Sequence, residues 1–137
     1  MRTVGKEDRG VMGNRWLRWV AVVAWMGVIF FVSAQPQLPH VVPSLLDNLQ
    51  DVIGHFAAYA ILGALLYRAL TGVEADRPVL LALIIVLLYA LSDEFHQSFV
   101  PNRHPDPFDV ATDFAGAGVA LLVLSLRRSL RNRRRPR

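Results

Sequence analysis

Asp51, His55 and Tyr59 follow one another at intervals of four residues, as do Asp93 and Gln97, and Asp109 and Asp113. On a helix that interval places each set on one face. A histidine among carboxylates is the material of general acid–base chemistry. His55 would take a proton, Asp51 or Asp93 would orient it, Arg103 would hold an oxyanion, and the adjacent Asp93 and Glu94 would supply an acid. The catalytic candidates are therefore His55, Asp93 and Glu94. The same stretches also read as a binding site, in which Asp51, Tyr59, His96, Gln97, Arg103, Asp109 and Asp113 would meet the polar head of a ligand. The planar guanidinium of Arg103 suits two-point pairing with Asp93, Glu94 or Asp109, or with a phosphate or carboxylate of a ligand. A metal variant would recruit His55, His96 and Asp93, but no HExxH-type spacing accompanies them, so no metal ligands are assigned and the cofactor stays unknown. The chain has no cysteine, which excludes disulfides, thiolate zinc sites and thiol nucleophiles.

Such groups need elements to hold them, and the composition says which. Of 137 residues, 53% are hydrophobic and only 19% charged, a balance that belongs to a membrane protein. Four apolar stretches, 16–34, 52–70, 78–92 and 110–126, approach the roughly 20 residues that cross a hydrocarbon core. The third extends into 93–100 and the fourth takes in Phe108 and Asp109 if their polar residues face protein or the interface. Proline-rich connections at 35–44 and 101–107 deny helices their backbone donors. Ser44 with Asp47 reads as a capping box opening the second helix, Asp76 with Pro78 as the start of the third, and Asp109 as a cap of the fourth. The expected fold class is all-α, a four-helix transmembrane bundle. Its membrane domain spans 16–126, between a basic N-terminus (1–15) and a basic tail (127–137). A cleaved signal peptide over the first 34 residues is the alternative, and it would leave three spans in the same orientation.

All 15 Lys and Arg except Arg103 lie at or before the start of the first span, about the connection of the second to the third, or after the fourth. The positive-inside rule then places both termini in the cytoplasm. The arginine tail reads as a stop-transfer anchor that also meets anionic lipid, so the partner is the lipid bilayer, with no nucleic acid. Counted outward from Arg68, Arg77 and Arg127, the residues His55, Asp93 and Asp113 stand about 20, 24 and 21 Å up their helices, in a core about 30 Å thick. A charged group at such depth costs at least about 2.5 kcal/mol, so three helices are expected to turn their polar faces toward one outward-opening site. Small residues, Gly54 and Ala58 in the second span and Ala111, Ala115, Gly116, Ala117, Gly118 and Ala120 in the fourth, permit close approach, tightest at Gly116. His40, His104 and Asp106 read as solvated loop residues, Tyr67 and Tyr89 as packing, and Trp16, Trp19 and Trp25 as interface or packing aromatics.

The stretches DVIGHFAAYAILGALL (51–66) and SDEFHQSFVPNRHPDPFDVATDFAGAGVA (92–120) resemble the VanZ-like family of small bacterial integral membrane proteins. The shared pattern is an Asp, then His and Tyr four apart before an apolar run, then Asp-Glu, Gln, Pro-x-Arg and a late Asp ahead of glycines. The SAQP at 33–36 is also similar. Three positions depart from it. Val52 stands where the family often has Lys, Asn102 where Pro-Gly-Arg is frequent, and Asp113 where Asn is common. Without that Lys, His55 or Arg103 is left to balance more negative charge around Asp51. The resemblance implies a multi-pass protein of the bacterial cytoplasmic (inner) membrane and cell envelope, in a family whose founding relative is associated with low-level resistance to teicoplanin. Three functions follow as expectations. The first is engagement of an amphiphile (an envelope lipid, a lipid-linked wall precursor or a lipoglycopeptide such as teicoplanin) at the outward-facing site. The second is an intramembrane hydrolase or transferase acting on a lipid head group. The third is a purely structural polar layer.

Overall fold

The computed structural model describes residues 7–36 and 47–134. Four helices follow one another, α1 (Glu7–Ser33), α2 (Asp47–Gly72), α3 (Pro78–Gln97) and α4 (Pro107–Arg133), and the described residues contain no strand. All four are long and apolar enough to cross a membrane, as the apolar runs predict.

The differences from expectation lie at the helix ends. α1 is already helical before its apolar run, and α4 continues through the arginines, where an established helix propagates through residues of good propensity. Arg131 and Arg133 in the last turn of α4 also complement the negative end of its dipole. At the start of α3 the cap position is Arg77, with no side-chain cap hydrogen bond, so Asp76 is not the cap, although Pro78 opens the helix as expected. In α4 the cap is Asp106, whose side chain accepts from the Phe108 amide at 2.8 Å. Pro107 in the first helical position fixes that start, so Asp109 falls inside the first turn and Asp106 is not a free loop carboxylate. Ser44 and His40 lie outside the described residues.

α2 and α4 approach closely through small residues. Gly63 backs onto Ala117, and a Cβ on Gly116 would strike the carbonyl of Phe56. The expectation for Gly116 holds, but Ala111 and Ala115 are exposed, and Gly54 and Gly118 face open space. Leu62, Leu66, Val86 and Leu121 form the buried centre with Ala82, Ala90 and Ala117. Large apolar side chains such as Phe31, Leu88, Phe95 and Leu122 point outward, the distribution expected where the solvent is hydrocarbon. Among the described residues α1 touches α2 and α3 but not α4, so α1 and α4 flank a central α2–α3 pair.

Side chains of α1 and its neighbours fasten it at successive heights. At the basic end Arg18 Nη1 donates to the Arg68 carbonyl at 3.1 Å. Midway, Trp25 Nε1 donates to the Ala58 carbonyl at 2.9 Å, which makes this indole a specific fastener to α2. Beyond that level the partners belong to α3. The Tyr89 hydroxyl donates to the Met26 carbonyl at 2.6 Å, and the Ser33 hydroxyl donates to Asp93 Oδ1 at 2.6 Å.

Candidate functional site

Where the half of α1 remote from the arginine-rich end is fastened to α3, a cavity of about 370 Å³ remains between α1 and α2. Trp25, Val28, Ile29 and Val32 supply one wall, a helical face of α1. Gly54, His55, Ala58 and Tyr59 supply the other, and Asp93 and Gln97 of α3 border it, with Asp51 and Arg103 also in its lining. Gly54 widens the cavity rather than closing a helix contact, since nothing lies within 4 Å of where its Cβ would stand.

Six of the residues singled out from sequence therefore share this space: Asp51, His55, Tyr59, Asp93, Gln97 and Arg103. Asp51 is exposed and Tyr59 is buried. The Tyr59 hydroxyl has no hydrogen-bond partner among the described residues. Its ring lies against Tyr89, with centroids 6.2 Å apart. Gln97 Nε2 reaches Asp93 Oδ2 at 3.4 Å, so Asp93 is held from both sides by Ser33 and Gln97. Arg103 donates from Nε to the Gln35 carbonyl at 3.2 Å. Among the described residues it makes no ion pair with Asp93, Glu94 or Asp109.

The other four stand around the cavity without lining it. Asp113 is fully buried and meets His55 Nδ1 at 3.0 Å, while Asp109 Oδ2 lies 3.8 Å from His55 Nε2. The carboxylate that orients His55 is therefore Asp113, where the sequence reading offered Asp51 or Asp93. Asp113 lies three residues before Gly116, which faces α2, so the same face of α4 carries both toward that helix. Glu94 accepts from the Asp106 amide at 2.7 Å and ties the loop to α3. His96 stacks on Phe30, with ring centroids 4.2 Å apart. The trio His55, His96 and Asp93 does not gather, and among the described residues no group of three such side chains is placed to hold a metal ion.

Ser33, Trp25 and Tyr89 were not singled out as site residues, yet Ser33 and Trp25 line the cavity and Tyr89 fastens α1 to α3 beside it. The signal available for Ser33 was the SAQP at the end of the first span. An aromatic residue's hydrogen-bond partner in another helix leaves no mark in the local pattern.

Comparison with known protein families matches residues 18–128 to the family described as VanZ/LLP1. No curated protein and no solved structure matches. The matched region takes in most of all four helices, the cavity and the acids behind it. It is a multi-pass membrane protein, and the chain belongs to the VanZ/LLP1 family.

Proposed function

We propose that this VanZ-like protein binds an amphiphile of the bacterial envelope, with an aliphatic chain lying between α1 and α2 and a polar head at Asp51, His55, Asp93, Gln97 and Arg103. The observation that carries this reading is that one continuous cavity of about 370 Å³ joins the apolar face of α1 to those polar groups. A chain that leaves the bilayer for such a cavity exchanges one hydrocarbon environment for another, so the tail contributes little net energy. Selectivity then rests on the head group, where desolvated charge and hydrogen bonds separate one ligand from another. Envelope lipids, lipid-linked wall precursors and lipoglycopeptides such as teicoplanin share this combination of chain and polar head. The positive-inside rule supports an orientation with both termini in the cytoplasm and this site toward the outer face of the cytoplasmic membrane.

The test uses the full chain in vesicles with a diazirine-bearing acyl lipid. Crosslinks are expected to concentrate on the facing walls of α1 and α2. A Cβ on Gly54 would meet nothing within 4 Å, so G54W sets an indole into the lining of the cavity and should lower that labelling about tenfold or more with little change in melting temperature. Labelling spread evenly over the helix surfaces, and indifferent to G54W, would refute the binding reading.

One observation favours an enzyme as the second reading, the buried Asp113 held 3.0 Å from His55 Nδ1. This is the arrangement that fixes a histidine tautomer for proton transfer through its other nitrogen. Here Nε2 has Asp109 Oδ2 at 3.8 Å, so a working base would need that side opened to substrate. Release of head group from envelope lipids by the purified protein, lost in H55N, is the outcome this reading requires. Equal release by H55N would eliminate it.

A further inference from the structure

The opposite end of the bundle carries a second depression, of about 550 Å³, between α2 and α4. Arg68 contributes from α2, and Arg127, Arg128 and Arg131 contribute from α4, over a floor that includes Leu124 and Tyr67. All four arginines are exposed, and among the described residues none forms an ion pair. Glu74 and Asp76, the acids of the nearby turn, do not line it. We infer that this cleft is a binding site for a phospholipid with a doubly charged, phosphate-bearing head group, of the cardiolipin type, in the leaflet at the basic end.

The cleft lies near the ends of α2 and α4 that carry the negative poles of their dipoles, together worth about one elementary negative charge. Four guanidinium groups outweigh that several-fold, so the local field favours an anion. The planar forks present paired donors, the geometry that a phosphate accepts at two points. Arg127 and Arg131 are four residues apart on one face of α4, across from Arg68 on α2, so donors converge from two helices. Leu124 and the largely buried Tyr67 complete the lining with apolar groups, a surface suited to the glycerol and first methylenes of a phospholipid. A free phosphate ion would share the head-group chemistry but would make no use of that floor. Basic clefts between membrane helices are the recognised form of such lipid sites.

The experiment follows cardiolipin retained by the full chain in detergent, by native mass spectrometry, with phosphatidylcholine as the zwitterionic comparison. Cardiolipin should be retained selectively. R127Q/R131Q should weaken it about tenfold or more, whereas R133Q/R134Q, which removes the same charge outside the cleft, should change it less than about twofold. R131Q alone, on the exposed last turn, supplies a graded reading if the double variant does not fold. Equal losses in the two double variants would reduce the effect to diffuse attraction and overturn the site. Equal retention of phosphatidylcholine would do the same. Displacement of cardiolipin by inorganic phosphate at tens of millimolar, a range at which a lipid with a seated glycerol should resist, would reassign the cleft to the free ion.

Discussion

His55 directs one ring nitrogen at Asp113 and the other toward Asp109, both on α4. Leaving a buried polar group without its partner costs about 1–3 kcal/mol, and more where that group is charged, whereas replacing both partners with apolar groups of similar volume is often neutral. D113L is therefore expected to lower stability by about 3 kcal/mol, and H55L/D113L to recover most of that loss, as read by thermal unfolding in detergent. A double variant no more stable than D113L would mean that Asp113 does not act through His55. The pairing itself was only half legible in the sequence. Counting from the arginines put His55 and Asp113 at similar heights, but height says nothing about rotation, and Asp51 and Asp93 seemed equally available. The missing fact was that Gly116 seats α4 against Phe56. That seat turns Asp113 toward α2 and leaves Asp93 to Ser33 and Gln97.

At the scale of elements, the four helices were legible because a membrane span needs an apolar run of fixed length, and no soluble alternative accounts for four of them. Their ends were not. The sequence reading assigns the cap of α4 to Asp109 and leaves Asp106 as a solvated loop residue, whereas Pro107 in the first helical position gives the cap to Asp106. The α3–α4 connection holds a further local constraint, since Asn102 has a φ of 64°. That left-handed conformation costs ordinary side chains about 1–2 kcal/mol, glycine almost nothing and asparagine an intermediate amount. Asn102 in place of the Gly that the VanZ-like resemblance leads us to expect is thus an exchange between residue types that tolerate the same backbone. N102G should leave the melting temperature unchanged or slightly higher, and N102V should cost about 1–2 kcal/mol in the same unfolding assay. Equal effects of the two variants would show that the turn does not depend on this conformation.

For the whole molecule, the decisive quantity is which end faces which compartment. The natural absence of cysteine makes this directly measurable, because a single introduced thiol reports alone. H104C, in the loop beside Arg103, should react with a membrane-impermeant maleimide on intact cells, and R134C only after lysis. The reverse pattern would place the cavity toward the cytoplasm and remove outer-face ligands from consideration. The separation of α1 from α4 has a consequence of its own. The seam between α1 and α2 is backed by α3 on one side and has no helix among the described residues on the other. An amphiphile using it need never pass through water, since it can drift sideways within its own leaflet. Occupancy would then follow the mole fraction of that molecule in the membrane, so a scarce envelope lipid could saturate the protein while its aqueous concentration stayed negligible.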